Sequence, residues 1–180
     1  MTKFKYFLDF EKEERWLMEM ADKGCRLKIG GRLLYRFEKA PPEQANIRVD
    51  YQEFDGVFWE LQDNFAAYRK QMGAKGWEHI AGKPRSGFQY FKQVSGDEDI
   101  FPDAASRSGR YKRFTSQSTY ISWGLFLPAT YVVLFGNSIR GAAMDFLMLL
   151  IVILLIISFL FSIAINVQAR RLRKKVLMEG

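Results

Sequence analysis

Between Phe146 and Ile165 the chain reads FLMLLIVILLIISFLFSIAI, twenty residues without a charge. At about 1.5 Å of rise per residue, a helix of that length spans the roughly 30 Å hydrocarbon core of a bilayer. A helix so uniformly apolar has no polar face to turn toward water. The first expectation is therefore a membrane-crossing helix over 145–167. A second charge-free stretch, STYISWGLFLPATYVVLF from Ser118 to Phe135, is shorter and more polar. Pro128 is tolerated in a membrane helix as a kink, and Tyr120 and Trp123 suit the headgroup level. It is expected to be a first crossing over 118–136, joined to the other by an external connection over 137–144.

Charge orients this hairpin. The 180-residue chain carries a net +7, yet residues 1–100 hold 17 basic and 17 acidic side chains. The excess lies wholly in the remaining 10 basic and 3 acidic residues, so it flanks the apolar stretches. Arg107, Arg110, Lys112 and Arg113 precede the first stretch, and Arg170, Arg171, Arg173, Lys174 and Lys175 follow the second. The connection offers only Arg140. The positive-inside rule then predicts a two-pass cell-membrane protein with both termini cytoplasmic, and a basic cytoplasmic tail over 168–180. The expected partner is the anionic inner leaflet, and no nucleic acid is expected despite a pI near 9.5. Ser158, Ser162 and Asn166 recur every fourth residue, a stripe suited to helix packing within the hairpin or to a homodimer.

Residues 1–95 repeat a pattern. KFKYFLDF alternates Phe4, Tyr6, Leu8 and Phe10 on one face, which predicts a strand. Asp9 is placed to cap a helix with an acidic first turn (Glu11, Glu13, Glu14) and an apolar face of Trp16, Leu17, Met20 and Ala21. Gly24 stops it, and the strands CRLKI and RLLYRFEK follow around Gly30-Gly31. After APPEQA the pattern restarts at NIRVDYQEF, with a helix from near Asp55 carrying Leu61, Phe65, Tyr68 and Met72. Gly76 ends that helix, before WEHIA and GFQYFKQ. The fold class expected is α+β: a duplicated strand–helix–strand–strand unit forming an antiparallel sheet of about six strands with two helices on one face. One such unit buries too little surface to fold alone, and two make a core. Residues 96–117 follow as a linker, polar with Asp97, Glu98 and Asp99, then basic.

Chemistry is sparse. Cys25 and His79 are the only residues of their types, so neither a disulfide nor a Cys/His zinc site can be built. Cys25 suits a small buried hydrophobe and His79 a structural histidine. No paired nucleophile and base, metal cluster or phosphate-cradling glycine loop is legible, so the domain is expected to be non-catalytic and without a cofactor. The N-terminus is too short and too charged for a signal peptide. If Tyr35, Phe37, Val49 and Tyr51 face the helices, then Asp9, Arg26, Lys28, Arg36, Arg48 and Asp50 face away, either as solvated ion pairs or as a docking face. Trp16, Tyr35, Tyr51, Trp59, Trp77 and Tyr90 form either a filled core or an aromatic groove between the repeats.

The segments FEKEERWLMEMADKG, YRFEK, RVDYQEF and AKGWEHI…FQYFK resemble the bacterial domain-of-unknown-function family 2812 over residues 4–93. The resemblance implies a Gram-positive protein with a membrane hairpin, often encoded beside PadR-like transcriptional regulators. It carries over no catalytic residue. Cys25 departs from the tryptophan expected after Lys-Gly. The doubled unit is also similar to the gyrase-inhibitor-like and SOUL haem-binding folds, some of which hold small aromatic or cationic molecules between their halves. These implications favour a membrane-anchored cytoplasmic sensing or interaction domain, in regulation or envelope stress. The alternative is a small-molecule binder.

Overall fold

A computed structural model describes residues 1–31, 33–54, 56–116 and 142–178. The elements run β1 (Thr2–Phe4), α1 (Phe10–Asp22), β2 (Cys25–Ile29), β3 (Leu34–Lys39), β4 (Ile47–Tyr51), α2 (Phe58–Ala74), β5 (Trp77–Gly82) and β6 (Phe88–Gln93). Two more helices follow, α3 over 104–116 and α4 (Ala142–Met178). The expected first crossing over 118–136, and all but the last three residues of the connection over 137–144, lie outside the described residues.

The alternation from Phe4 to Phe10 overstates the first strand, which stops at Phe4. Asp9 Oδ1 accepts the backbone N–H of Glu11 at 3.1 Å and of Lys12 at 3.3 Å, satisfying donors that a helix start leaves orphaned. Phe10 thereby becomes the first helical residue and is buried. On α1 the buried face holds Phe10, Leu17, Met20 and Ala21, but also Glu13 and Glu14.

In place of one sheet of six strands there are two antiparallel sheets of three, sheet A (β1-β3-β2) and sheet B (β4-β6-β5). Each puts its third strand in the middle. In each, the ladder between the second and third strands shifts register once, between Leu27 and Ile29 in sheet A and between His79 and Ala81 in sheet B. Gly24 and Gly76 follow α1 and α2 with φ of +72° and +83°, a region where side chains with a β-carbon are strained. Space is also lacking: a β-carbon on Gly24 would stand 2.6 Å from the Ala40 carbonyl oxygen, and one on Gly76 would collide with the Ser95 carbonyl. The sheets approach each other through β2 and β5, which form no ladder among the described residues. The opposite, free edge of sheet B, β4, is occupied by side chains.

Nor do the helices share a face. Tyr90 of β6 joins a core with α1 and sheet A, whereas its neighbour Phe91 joins a second core with Trp77, Ile100, Phe101, Tyr68 and Met72. Successive strand residues point to opposite faces, so α1 and α2 cover opposite sides of sheet B. Phe88, Gln89, Tyr90 and Phe91 are accordingly all buried.

The stretch expected as a linker is instead structural. Ile100 and Phe101 seal the α2 side, and the Trp77 indole donates to the Glu98 carbonyl at 2.8 Å. Tyr111 and Phe114 of α3 enter the main core, as do Ile165, Ala169 and Val176 of α4, with Leu172 packed against it. At spacings of four, three and four residues these α4 side chains form one helical stripe. The stretch over 168–180, expected as a basic cytoplasmic tail, thus lends Ala169 and Val176 to a core shared with residues 1–95. N-terminal to that stripe α4 changes character: Ile153, Leu154, Ile156, Ile157, Leu160 and Phe161 are all exposed. Among the described residues α4 is the helix long and apolar enough to cross a membrane.

Candidate functional site

A highly charged cleft of about 360 Å³ lies where α1, β4, α3 and α4 converge. It is lined by Glu11, Glu14, Arg15, Arg48, Asp99, Arg107 and Arg110, with Met18, Phe101 and Val176 as apolar wall. The helical repeat of α1 brings Glu11, Glu14, Arg15 and Met18 to one side.

Two ion pairs organise it. Arg110, only 1% exposed, binds Glu14 Oε1 through Nη1 and donates to the Val49 carbonyl at 2.9 Å. Glu14 Oε1 also accepts the Val49 N–H at 3.0 Å. The Arg110 guanidinium lies 5.0 Å from the ring centroid of Phe10 and 4.8 Å from that of Phe101. Arg48 presents a fork to Asp99, with Nη2–Oδ2 at 2.7 Å and Nε–Oδ1 at 3.1 Å. Burial pushes the Glu14 carboxyl above its ordinary range, while Arg110 and the Val49 N–H pull it back. Asp99 is desolvated too, but the Arg48 hydrogen bonds hold it below the usual value. With Glu14 and Asp99 neutralised, the cleft retains Arg15 and Arg107, which form no ion pair among the described residues, against Glu11, whose only ion pair is at 4.0 Å to Arg110. The residual charge is positive.

Beside the cleft, Glu13 occupies the junction of α1 with both sheets. Its Oε1 accepts Tyr35 Oη at 2.7 Å from sheet A and Tyr90 Oη at 2.8 Å from sheet B. Burial raises its carboxyl to about 7, against the lowering effect of the two tyrosines.

The six residues expected to share a docking face are scattered. Arg26 and Lys28 pair with Glu38 on the outer side of sheet A, where Arg36 is exposed. Arg48 reaches Asp99, and Asp50 is buried, accepting from Tyr68 at 2.7 Å and pairing with Arg113. Asp9 caps α1 and accepts Tyr111 Oη at 3.3 Å. The six aromatics share no groove either. Tyr35, Tyr51 and Tyr90 are buried in the main core with Trp16 against it, Trp77 is in the second core, and Trp59 is 67% exposed on α2. His79 is half-buried between the rings of Phe65 and Phe91 and bonded to Gln89 at 3.0 Å.

Of the residues expected to flank the membrane, Arg110 and Arg113 turn inward to Glu14 and Asp50, and Arg107 lines the cleft. Lys112, Arg170, Arg171, Lys174 and Lys175 are exposed, and Arg173 is half-buried. The expectation missed Glu13, Glu14, Arg15 and Asp99. Asp99 falls in the stretch expected as a polar linker, and pairs with Arg48 instead.

These features define an α+β domain of two small sheets, completed by helices from the C-terminal half of the chain. A family model described as "Protein of unknown function (DUF2812)" matches residues 9–123, well over half of the 180 residues, and the chain belongs to that family. The match runs past residue 93, through all of α3, in keeping with the role of α3 in the core. No curated protein and no solved structure matches the chain.

Proposed function

We propose that the chain is a membrane-anchored cytoplasmic sensing or interaction domain, regulatory and non-catalytic, in which α4 transmits between bilayer and domain. One observation carries the reading: α4 is a continuous helix whose exposed apolar part runs into a stripe buried in the domain core. The same observation favours a two-pass topology. Residues 10–114 and 165–176 share one core, so a chain that crosses through α4 must cross once more to return to the same side. The matching strand orders, register shifts and helix-ending glycines support a duplicated unit as the origin of the two sheets.

A reporter active only in the cytoplasm should work when fused after Gly180 and fail when inserted near Asn137. Activity at both positions would refute the hairpin, and silence at Gly180 would place the basic end outside.

A second reading, a small-molecule binder, is favoured by the cleft rather than by the aromatics. Arg15 and Arg107, without an ion pair among the described residues, suit a carboxylate or phosphate group, because guanidinium forks match planar and tetrahedral oxyanions. Pyrophosphate or citrate should raise the melting temperature of the full chain in detergent, saturably, and Arg107→Gln should weaken that effect about tenfold or more. An equal shift in the variant would exclude the cleft.

A further inference from the structure

We infer that the hairpin end of sheet A is a lipid-contacting lip, seated in the headgroup layer beside α4; the inference rests on the membrane-anchor reading above. Phe4 is 82% exposed, Leu33 58%, Ile29 43% and Tyr6 39%. Single exposed apolar residues are ordinary, but these are gathered. Phe4 pairs with Leu34 across β1 and β3, and the Lys5 N–H donates to the Leu33 carbonyl at 3.0 Å. Ile29 ends β2 on the other side of β3.

The height of this patch follows from α4. Ile165, the last residue before the polar Asn166, is itself buried in the domain core, so the domain stands directly against the end of the apolar run. A pocket of about 440 Å³ has Tyr6, Phe7 and Leu8 on one wall and Gln168, Arg171 and Leu172, the next turns of α4, on the other. Phe4 is two residues from Tyr6, at most about 7 Å of chain. The patch therefore lies at the level where α4 leaves the hydrocarbon.

Its chemistry suits that level. Aromatic residues partition to the bilayer interface, and Lys3 and Lys5 lie in β1 or next to it, where cations attract anionic headgroups. Lys5 Nζ stands 4.8 Å from the ring centroids of both Phe7 and Trp16, an arrangement that keeps its charge beside apolar surface. An aqueous face would gain nothing from a phenylalanine and a leucine held open at the tip of a small sheet.

The test uses the full chain in nanodiscs of phosphatidylcholine and phosphatidylglycerol, with Cys25→Ser and one environment-sensitive fluorophore per variant. Probes at Phe4→Cys and Leu33→Cys should be quenched by headgroup-labelled nitroxide lipid about twofold or more strongly than a probe at Lys70→Cys, on the exposed side of α2. They should also be protected from iodide. A probe at Leu154→Cys, quenched by acyl-chain nitroxide, reports the anchor independently. Iodide access at positions 4 and 33 with a lipid-quenched position 154 would overturn the lip and leave the anchor standing. Protection from both quenchers at 4 and 33 would mean a protein cover, and would overturn it as well. Iodide access at 154 would remove the anchor and the lip together.

Discussion

Arg110→Met should cost about 3–5 kcal/mol of stability, because removing one partner of a buried pair strands the other charge. Glu14 would keep the Val49 N–H and only a distant Arg48, at 4.0 Å. Methionine retains much of the packing against Phe10 and Phe101, so the loss would be electrostatic rather than a cavity effect. Adding Glu14→Gln to the same chain should recover most of that electrostatic part, and the double-mutant cycle would isolate the pair. Thermal unfolding of the full chain in detergent, followed by near-ultraviolet circular dichroism, measures both. A single-variant loss below about 1 kcal/mol would show an exposed pair of ordinary strength instead.

The second large effect is a pH dependence centred on Glu13. In the unfolded chain this carboxyl ionises near 4.5, and in the fold burial holds its proton to about 7. The folded state therefore binds more protons across that window, and stability must fall as pH rises through it. The contribution is complete below the unfolded value and lost above the folded one, and a shift of that size corresponds to about 3 kcal/mol. Glu14, raised in the same sense by burial, adds to the slope. Asp99, held down by Arg48, opposes it at lower pH. Glu13→Gln keeps an oxygen to accept Tyr35 and Tyr90 and should flatten the profile between pH 5 and 8. Parallel profiles for parent and variant would mean that Glu13 does not titrate within the fold.

Local signals were legible where the chain's own neighbours decide the outcome. Asp9 caps the helix that its position announces, Gly24 and Gly76 end the two that they punctuate, and Tyr35, Phe37, Val49 and Tyr51 are buried as their alternation requires. Glu13 and Glu14 were not legible, because acidic residues in a first helical turn already have an explanation in the helix dipole. Their partners lie 22, 77 and 96 residues away in sequence. The basic cluster misled for a related reason. A count of positive charges ignores which side of a helix they occupy, and Arg110 and Arg113 leave α3 on the side of Tyr111 and Phe114. One signal was available and outweighed: Ile165, Ala169, Leu172 and Val176 form a helical stripe through residues otherwise taken as lipid-facing charge.

The covered edge of β4 has a consequence for self-association. An open edge strand is a template on which another chain can lay its own strand. In sheet B the outward N–H of Val49 is taken by Glu14, and the outward carbonyls of Val49 and Tyr51 by Arg110 and Arg113. A strand arriving from a second molecule would have to expel three charged side chains and leave them without their partners, which is a steep barrier to templating. That stopper is supplied by helices on either side of the sheet in sequence, α1 before it and α3 after it. Sheet B is therefore protected from oligomerisation through β4 only while α3 is seated, and a chain cut between β6 and α3 would present a ready-made edge to its neighbours.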